Sequence, residues 1–360
     1  MLTLLVLLFI VGLLLYAKLR WHYSYWSRRG VAGERPVYFR GNMSGLGRDL
    51  HWTDINLRIY RKFRGVERYC GYFTFMTKSL FIMDLELIRD IMIRDFSSFA
   101  DRGLFHNVRD DPLTGNLLFL DGPEWRWLRQ NLTQVFTSGK MKFMFPNMVE
   151  VGEKLTQACR LQVGEIEAKD LCARFTTDVI GSCAFGLECN SLQDPESEFR
   201  RMGRSVTKEP LHSLLVQAFM FAQPELARKL RFRLFRPESQ IPDSNLIREP
   251  EFKIIIPVHS IHHDPELYPD PEKFDPSRFE PEEIKARHPF AYLPFGEGPR
   301  NCIGERFGKL QVKVGLVYLL RDFRFSMSEK TQIPLKFSSQ TFLISTQEGV
   351  HLRMDGLARP

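Results

Sequence analysis

With 360 residues and 44% hydrophobic content, the chain can bury one large core or two modest ones, which excludes a disordered tail and a fibre. Its six cysteines, Cys70, Cys159, Cys172, Cys183, Cys189 and Cys302, lack CxxC pairing or regular spacing, which argues against a zinc module or disulfide framework and for free thiols in a reducing compartment. The net charge of +7 is spread along the chain, so no nucleic-acid-binding run is present; a solvated basic surface and an acidic or anionic partner both stay open.

Leu2 to Ala17 is almost wholly apolar, and its dozen Leu, Val, Ile and Phe residues favour membrane insertion by about 4–7 kcal/mol together. The stretch is short for a spanning helix, but a thin bilayer and snorkelling by Lys18 and Arg20 close the gap. Trp21, Tyr23, Tyr25 and Trp26 then read as an interfacial aromatic cluster. Lys18, Arg20, Arg28 and Arg29 all follow the apolar run, which puts the body on the cytosolic side. The alternative, a cleaved secretory signal, would need a small-residue cleavage site, and none follows the run.

After a linker to about Gly45, Tyr69 to Met83 alternates around Thr77-Lys78-Ser79 and predicts a β-hairpin. Helix-spaced apolar stripes then mark Leu85 to Arg94, Gly122 to Phe136, Met148 to Gln162, Leu171 to Phe185 and Ser197 to Val206. Ile254 to Ile256 reads as a short buried strand, and the prolines from His263 to Phe279 forbid a regular helix. A loop leads into a helix from about Ile303 to Arg321, and Phe342 to Thr346 with Val350 to Arg353 reads as a closing hairpin.

The strongest chemical signal is Phe295-Gly296-Glu297-Gly298-Pro299-Arg300-Asn301-Cys302-Ile303-Gly304, a glycine-bearing loop ending in a cysteine before a helix. A thiolate there is stabilised by the helix dipole and unpaired N–H groups, which suits a metal ligand. Gly298 permits a tight turn, Gly304 permits close approach of a flat macrocycle, and Arg300 suits a carboxylate. By residue types alone, a reactive redox thiol and a buried structural cysteine fit the loop as well. The full Phe-x-x-Gly-x-Arg-x-Cys-x-Gly pattern, however, resembles the heme-binding signature of the cytochromes P450 at all five fixed positions. In that family the cysteine thiolate pushes electron density to iron and favours O–O cleavage.

Trp125 and Arg129, in Gly122-Pro-Glu-Trp-Arg-Trp-Leu-Arg-Gln-Asn-Leu132, resemble the family's Trp-x-x-x-Arg helix, which holds a heme propionate; their i, i+4 spacing shares one helix face. Arg102, in Phe99-Ala-Asp-Arg-Gly103, is a further propionate candidate or a solvated loop charge. Asp275-Pro276-Ser277-Arg278-Phe279 resembles the family's Pro-x-Arg-Phe element, where Arg278 would join an ion-pair network with a Glu-x-x-Arg helix. Phe175-Thr-Thr-Asp-Val-Ile-Gly181 resembles microsomal members, most closely insect family-six enzymes. His259, His262 and His263 stand in the proline-rich segment without carboxylates at ligand spacing, so a metal reading of them is disfavoured.

Two expected motifs are missing. The family's distal helix carries Ala/Gly-Gly-x-Asp/Glu-Thr, whose acid and alcohol relay protons; the sequence has none, and no catalytic residue is identified. The Glu-x-x-Arg at Glu198-Phe-Arg-Arg201 precedes the skipped region and reads as an ordinary i, i+3 surface pair. Around Pro237-Glu238-Ser239-Gln240 the resemblance skips a block the size of a small domain.

The resemblance therefore implies a mainly α fold with small β-sheets, internally truncated, with an N-terminal transmembrane anchor. Its parts would be an anchor over 1–20, a linker over 21–45, an N-terminal helical part over 46–238, and a C-terminal part over 239–360 with the meander, heme loop and proximal helix. It implies heme b (iron protoporphyrin IX) ligated by Cys302, with Phe295, Gly298, Arg300, Gly304, Trp125, Arg129 and Arg102 around it. Implied partners are O2, a lipophilic small molecule such as a xenobiotic or hormone, NADPH-cytochrome P450 reductase, cytochrome b5 and the endoplasmic reticulum membrane. Arg306, Lys309 and Lys313 would offer cations to an acidic reductase, or form a plain solvated face. A non-catalytic remnant with weak or no heme binding, and a thiol-dependent redox protein using Cys302, stand as alternatives.

Overall fold

The computed structural model describes residues 1–207, 211–235, 252–339, 341 and 343–357. The expected junction at Pro237 to Gln240, and Phe342, lie outside the described residues. In chain order the elements are α1 (Leu2–Tyr23), α2 (Trp52–Phe63), β1 (Tyr69–Thr74), β2 (Thr77–Ile82), α3 (Leu85–Arg89), α4 (Gly122–Thr133), α5 (Ser138–Leu161), β3 (Gly164–Glu167), α6 (Ala168–Ile180), α7 (Glu198–Thr207), α8 (Leu214–Ala222), α9 (Pro224–Lys229), β4 (Lys253–Ile255), α10 (Val258–His262), α11 (Pro281–Ala286), α12 (Glu305–Asp322), β5 (Phe323–Met327) and β6 (His351–Gly356). The fold is mainly helical with two small sheets, as the sequence implies.

The chain forms two compact units: residues 1–122, 214–232 and 242–301 in the first, and 123–213, 233–241 and 302–360 in the second. In the first unit β1 pairs antiparallel with β2, and β2 pairs parallel with β4. Ile55 and Ile59 of α2 bury against Phe81 and Ile82 of β2, Ile88 of α3 and Ile261 of α10. Local capping fixes where these helices begin. Asp54 Oδ2 accepts the His51 N–H at 2.8 Å ahead of α2, and Asp84 Oδ1 accepts the Leu87 N–H at 2.8 Å ahead of α3. A buried network ties α2 to the chain after α10: Tyr60 OH donates to Asp264 Oδ2 at 2.8 Å, and Arg64 Nε donates to the same oxygen at 2.9 Å.

α1 is the one helix among the described residues long and apolar enough to cross a membrane. It continues to Tyr23, past the expected anchor end at residue 20, because its last turn is packed: Leu19 and Tyr23 are buried against Phe73 of β1. The expected interfacial aromatic cluster is divided. Trp21 is exposed, whereas Tyr23, Tyr25 and Trp26 are buried. The Trp26 Nε1–H donates to Tyr72 O at 3.1 Å, and the ring lies where a side chain at Gly71 would stand. Three of the four aromatics therefore join α1 and the turn after it to the sheet.

The second unit is built on α5, α6 and α12 over a sheet ordered β3-β6-β5, antiparallel throughout. Met148 and Leu155 of α5, Val179 of α6, Val314 of α12 and Met354 of β6 share its core. Glycines set the closest approaches. A methyl at Gly152 would meet the Tyr318 ring at 2.4 Å, and one at Gly315 would meet Phe175 at 2.9 Å. Asp178 of α6 accepts the N–H groups of Ser191 and Leu192 at 2.7 and 3.1 Å, which pins the loop after the helix.

Several sequence expectations shift. The hairpin turn lies at Phe75-Met76, not Thr77 to Ser79, because Phe75 takes a φ of 56° and Thr77 already pairs with Thr74. α5 begins at Ser138, ten residues before the expected start, with Pro146 accommodated inside it and Met141 and Met144 extending its buried stripe. β4 is half-buried, not buried. Among the described residues the expected closing hairpin is not formed: β6 pairs with β5 and β3, and the chain at 345–347 instead bridges 336–338 through Phe337 and Thr346. The central strand position of β6 leaves it no free edge for 343–346.

Candidate functional site

The eight residues that the sequence gathers into one site divide between the units: Phe295, Gly298, Arg300 and Arg102 belong to the first, Cys302, Gly304, Trp125 and Arg129 to the second.

In the first unit the loop turns through Gly296 and Gly298, with φ of 70° and 71°. Gly298 is obligatory on two counts. Its φ lies in the left-handed region, and a Cβ there would stand 2.1 Å from the carbonyl oxygen of Met92. Phe295 is half-buried at the start of the loop. The side chain of Arg300 is only 9% exposed. All three of its guanidinium nitrogens donate to protein oxygens: Nε to Ala100 O at 2.7 Å, Nη1 to Leu120 O at 2.9 Å, and Nη2 to Asp121 Oδ1 at 2.8 Å. Burial pulls its pKa down to about 10, with the Asp121 charge acting in the opposite sense. Arg102 donates from Nη1 to Leu118 O and from Nη2 to Arg300 O, each at 3.2 Å.

Asp121 is the residue sequence reading passed over. Its side chain is fully buried; Oδ1 also accepts the Arg102 N–H, and Oδ2 the Gly103 N–H, both at 2.7 Å. An acid immediately before a Gly-Pro helix start reads as a cap, and its partner Arg300 is 179 positions away.

In the second unit Cys302 is exposed. α12 starts at Glu305, two residues later than expected, so the thiol precedes the positive end of the helix by three positions. Gly304 leaves open space: a Cβ there would meet nothing nearer than the Phe136 ring at 3.7 Å. Trp125 of α4 is 5% exposed, and Arg129, one turn on, is half-buried. Burial lowers the Arg129 pKa, and Cys302 opposes that shift, so the guanidinium and the thiol stand within electrostatic reach. An exposed sulfur, an unencumbered glycine and an adjacent guanidinium fit a flat, anionic, thiol-ligated macrocycle on this face. On the first unit the fit is poorer, because Arg300 is already engaged.

The remaining candidates have local roles. His262 Nε2 accepts the Leu293 N–H at 3.0 Å, and the rings of His259 and His263 stack at 4.1 Å. Glu198 and Arg201 are exposed, while their α7 neighbour Arg200 pairs with Asp170. Arg306 donates to Ser138 Oγ at 2.8 Å, and Lys309 pairs with Glu305 at 2.6 Å. Arg278 donates from Nη2 to Asp270 O and Lys273 O at 2.7 and 3.2 Å, but its buried Nε has no hydrogen-bond partner among the described residues.

The cytochrome P450 family profile matches residues 31–236 and 239–353. The probable cytochrome P450 6a13 of Drosophila melanogaster is 70% identical over an alignment of 493 positions that covers all of both chains, although this chain supplies only 360 residues. The probable cytochrome P450 6a14 of the same species is 39% identical over 92% of this chain and 95% of its own. Cytochrome P450 6A1 of Musca domestica is 32% identical over 98% of each.

Proposed function

Since the chain belongs to the cytochrome P450 family, of the insect family-six kind and short of an internal block, we propose that it derives from a microsomal heme-thiolate monooxygenase acting on lipophilic small molecules. The exposed Cys302 beside Arg129, ahead of α12, is the observation that carries this reading. Heme b bound there would supply O2 activation for insertion of one oxygen atom into a substrate, with electrons from an NADPH-dependent reductase. The residues' own parts follow from their chemistry. Cys302 offers its sulfur as the ligand, three positions ahead of α12. Arg129 and the indole N–H of Trp125 offer donors to a propionate, and Gly304 keeps the macrocycle's approach open. The length and apolar composition of α1 support a membrane anchor, and Lys18, Arg20, Arg28 and Arg29 after it support the endoplasmic reticulum with a cytosolic body.

A second reading is favoured by Arg278. Its buried Nε has no hydrogen-bond partner among the described residues, and the resemblance would pair Arg278 with the absent Glu-x-x-Arg helix. The distal acid and alcohol would be absent with the same block, so for this chain the conclusion is a membrane-anchored P450 with weak heme binding and little turnover. Carbon monoxide difference spectroscopy on the reduced, hemin-reconstituted chain tests both parts. A small red-shifted Soret band, abolished by Cys302→Ser, is expected. A band unchanged by that substitution would refute Cys302 as ligand, and turnover of a lipophilic substrate at the rate of intact relatives would refute the remnant reading.

A further inference from the structure

We propose that the foot of α1 and the tip of the β1–β2 hairpin beside it form a binding surface for anionic phospholipid headgroups, whose negative charge Arg28, Arg29 and Lys78 take. This surface needs α1 as a membrane anchor but not the heme reading, since every residue concerned lies in the first unit.

The depth of the surface is set by α1, which runs unbroken to Tyr23. Its last turn is fastened to the hairpin tip: Tyr23 OH donates to Phe75 O at 3.2 Å, and His22 Nε2 donates to Met76 O at 2.8 Å. The body also reaches back along the apolar run. The Tyr38 ring lies 5.7 Å from that of Tyr23 and, edge-on, 6.0 Å from that of Tyr16, between centroids. Seven residues of helix separate Tyr16 from Tyr23, about 10 Å along the axis. A spanning α1 therefore carries the turn around Tyr38 to the level of its last apolar residues. Val37 and Phe39, on either side of Tyr38, are more than half exposed. Paired backbone bonds between Val37 and Gly41, at 2.8 and 2.7 Å, close the turn that presents them.

Each of the three cations is laid on an aromatic ring. The Arg28 guanidinium stands 4.2 Å over Trp21 and donates from Nη2 to Trp21 O at 2.8 Å. That of Arg29 stands 3.6 Å over Tyr25, and the Lys78 ammonium 4.3 Å over the same ring. A ring holds a cation in place without neutralising it, so the charge remains for a ligand. Among the described residues none of the three pairs with a carboxylate. Glu34, the acid nearest to Arg28 and Arg29 in sequence, is engaged by Arg58 and Lys62 at 2.9 and 3.5 Å. Three held charges, with Lys18 and Arg20 exposed on the last turns of α1, complement an anionic leaflet, and the guanidinium groups add donors that suit phosphate.

Electron paramagnetic resonance of the full-length chain, reconstituted in phosphatidylcholine vesicles with a trace of spin-labelled lipid, tests the assignment. Labelled phosphatidylserine is expected to associate with the protein about fivefold more strongly than labelled phosphatidylcholine. Arg28→Gln, Arg29→Gln and Lys78→Gln together should bring the two lipids level. Arg68→Gln, Arg89→Gln and Arg94→Gln remove as many exposed cations from the same unit and should leave the preference intact, since Arg68 adjoins the end of β1 away from the hairpin tip and the others lie on α3 and the turn after it. In a second readout, the fluorine of a fluorinated phenylalanine placed at position 39 should be relaxed by a nitroxide in the acyl chains more than by a water-soluble paramagnetic chelate. Equal association of both lipids with the parent, a preference retained without the three ring-held cations, an equal loss in the control variant, or an aqueous position for residue 39 each overturns the proposal. Alkaline carbonate separates the premise from the surface. A parent chain washed from the vesicles by it loses the anchor and the surface together, whereas a chain retained without lipid preference loses the surface alone.

Discussion

A side chain at position 298 has nowhere to go, whereas one at position 304 has room, and the two glycines of the same loop therefore answer to different constraints. Gly298→Ala drives a methyl into the Met92 carbonyl and forces alanine into a φ of 71°. A loss of about 2–3 kcal/mol is expected in urea unfolding. Gly304→Ala meets only Phe136 at 3.7 Å, so stability should change by no more than about 0.5 kcal/mol. Its effect belongs to the bound state, where the methyl would hold a flat macrocycle away, and hemin affinity should fall. If Gly304→Ala unfolds the protein as Gly298→Ala does, the division between a folding glycine and a binding glycine is wrong. Sequence made the loop legible because all its members sit within ten positions and each residue type constrains the next. Asp121 was not legible, because a buried acid is defined by its partner, and Arg300 is brought to it only by the fold.

Among the elements, α10 and the chain after it carry a pH dependence that their proline-rich texture does not advertise. The ionisation of His259 and His262 is pushed down to about 4 in both, by burial first and then by the charge of His263. Protonating His262 at Nε2 would also replace the acceptor of the Leu293 N–H with a donor. In the unfolded chain both rings take up protons near pH 6.5, so between there and about 4 the unfolded state binds more protons than the folded one. Stability should therefore decline as pH falls through that window and level off below it. The urea midpoint at about pH 5 is expected to lie below that at about pH 7.5, with the difference reduced in a His259→Gln, His262→Gln double variant. An equal pH slope in the double variant would remove these histidines from the account. Element placement was readable where the apolar period is regular, as at α6, whose start Glu167 caps. It failed where packing decides: the apolar stripe was read from Met148, yet Met141 and Met144 bury ahead of it and carry α5 back to Ser138.

At the scale of the whole chain, the family match breaks only at residues 237 and 238, yet the relatives' alignment runs to 493 positions. A block of that size cannot leave a helical fold without baring surface it once covered, and α12 shows the consequence. Val314 and Tyr318 face the core of the second unit, while Val312, Leu316, Val317 and Leu320 are each at least half exposed. Their spacing sets them in one stripe along the helix. Contiguous apolar surface of this kind is rare on a monomer and favours association. The purified chain is accordingly expected to enhance the fluorescence of an apolar dye and to sediment as concentration-dependent assemblies. Leu316→Glu with Leu320→Glu should lower both, because it charges the stripe without touching Val314 or Tyr318. The apolar helix α1 is the same in both proteins, so the difference between them reports α12 alone. A variant that sediments and binds dye as the parent does would show that this face is not what the missing block leaves bare.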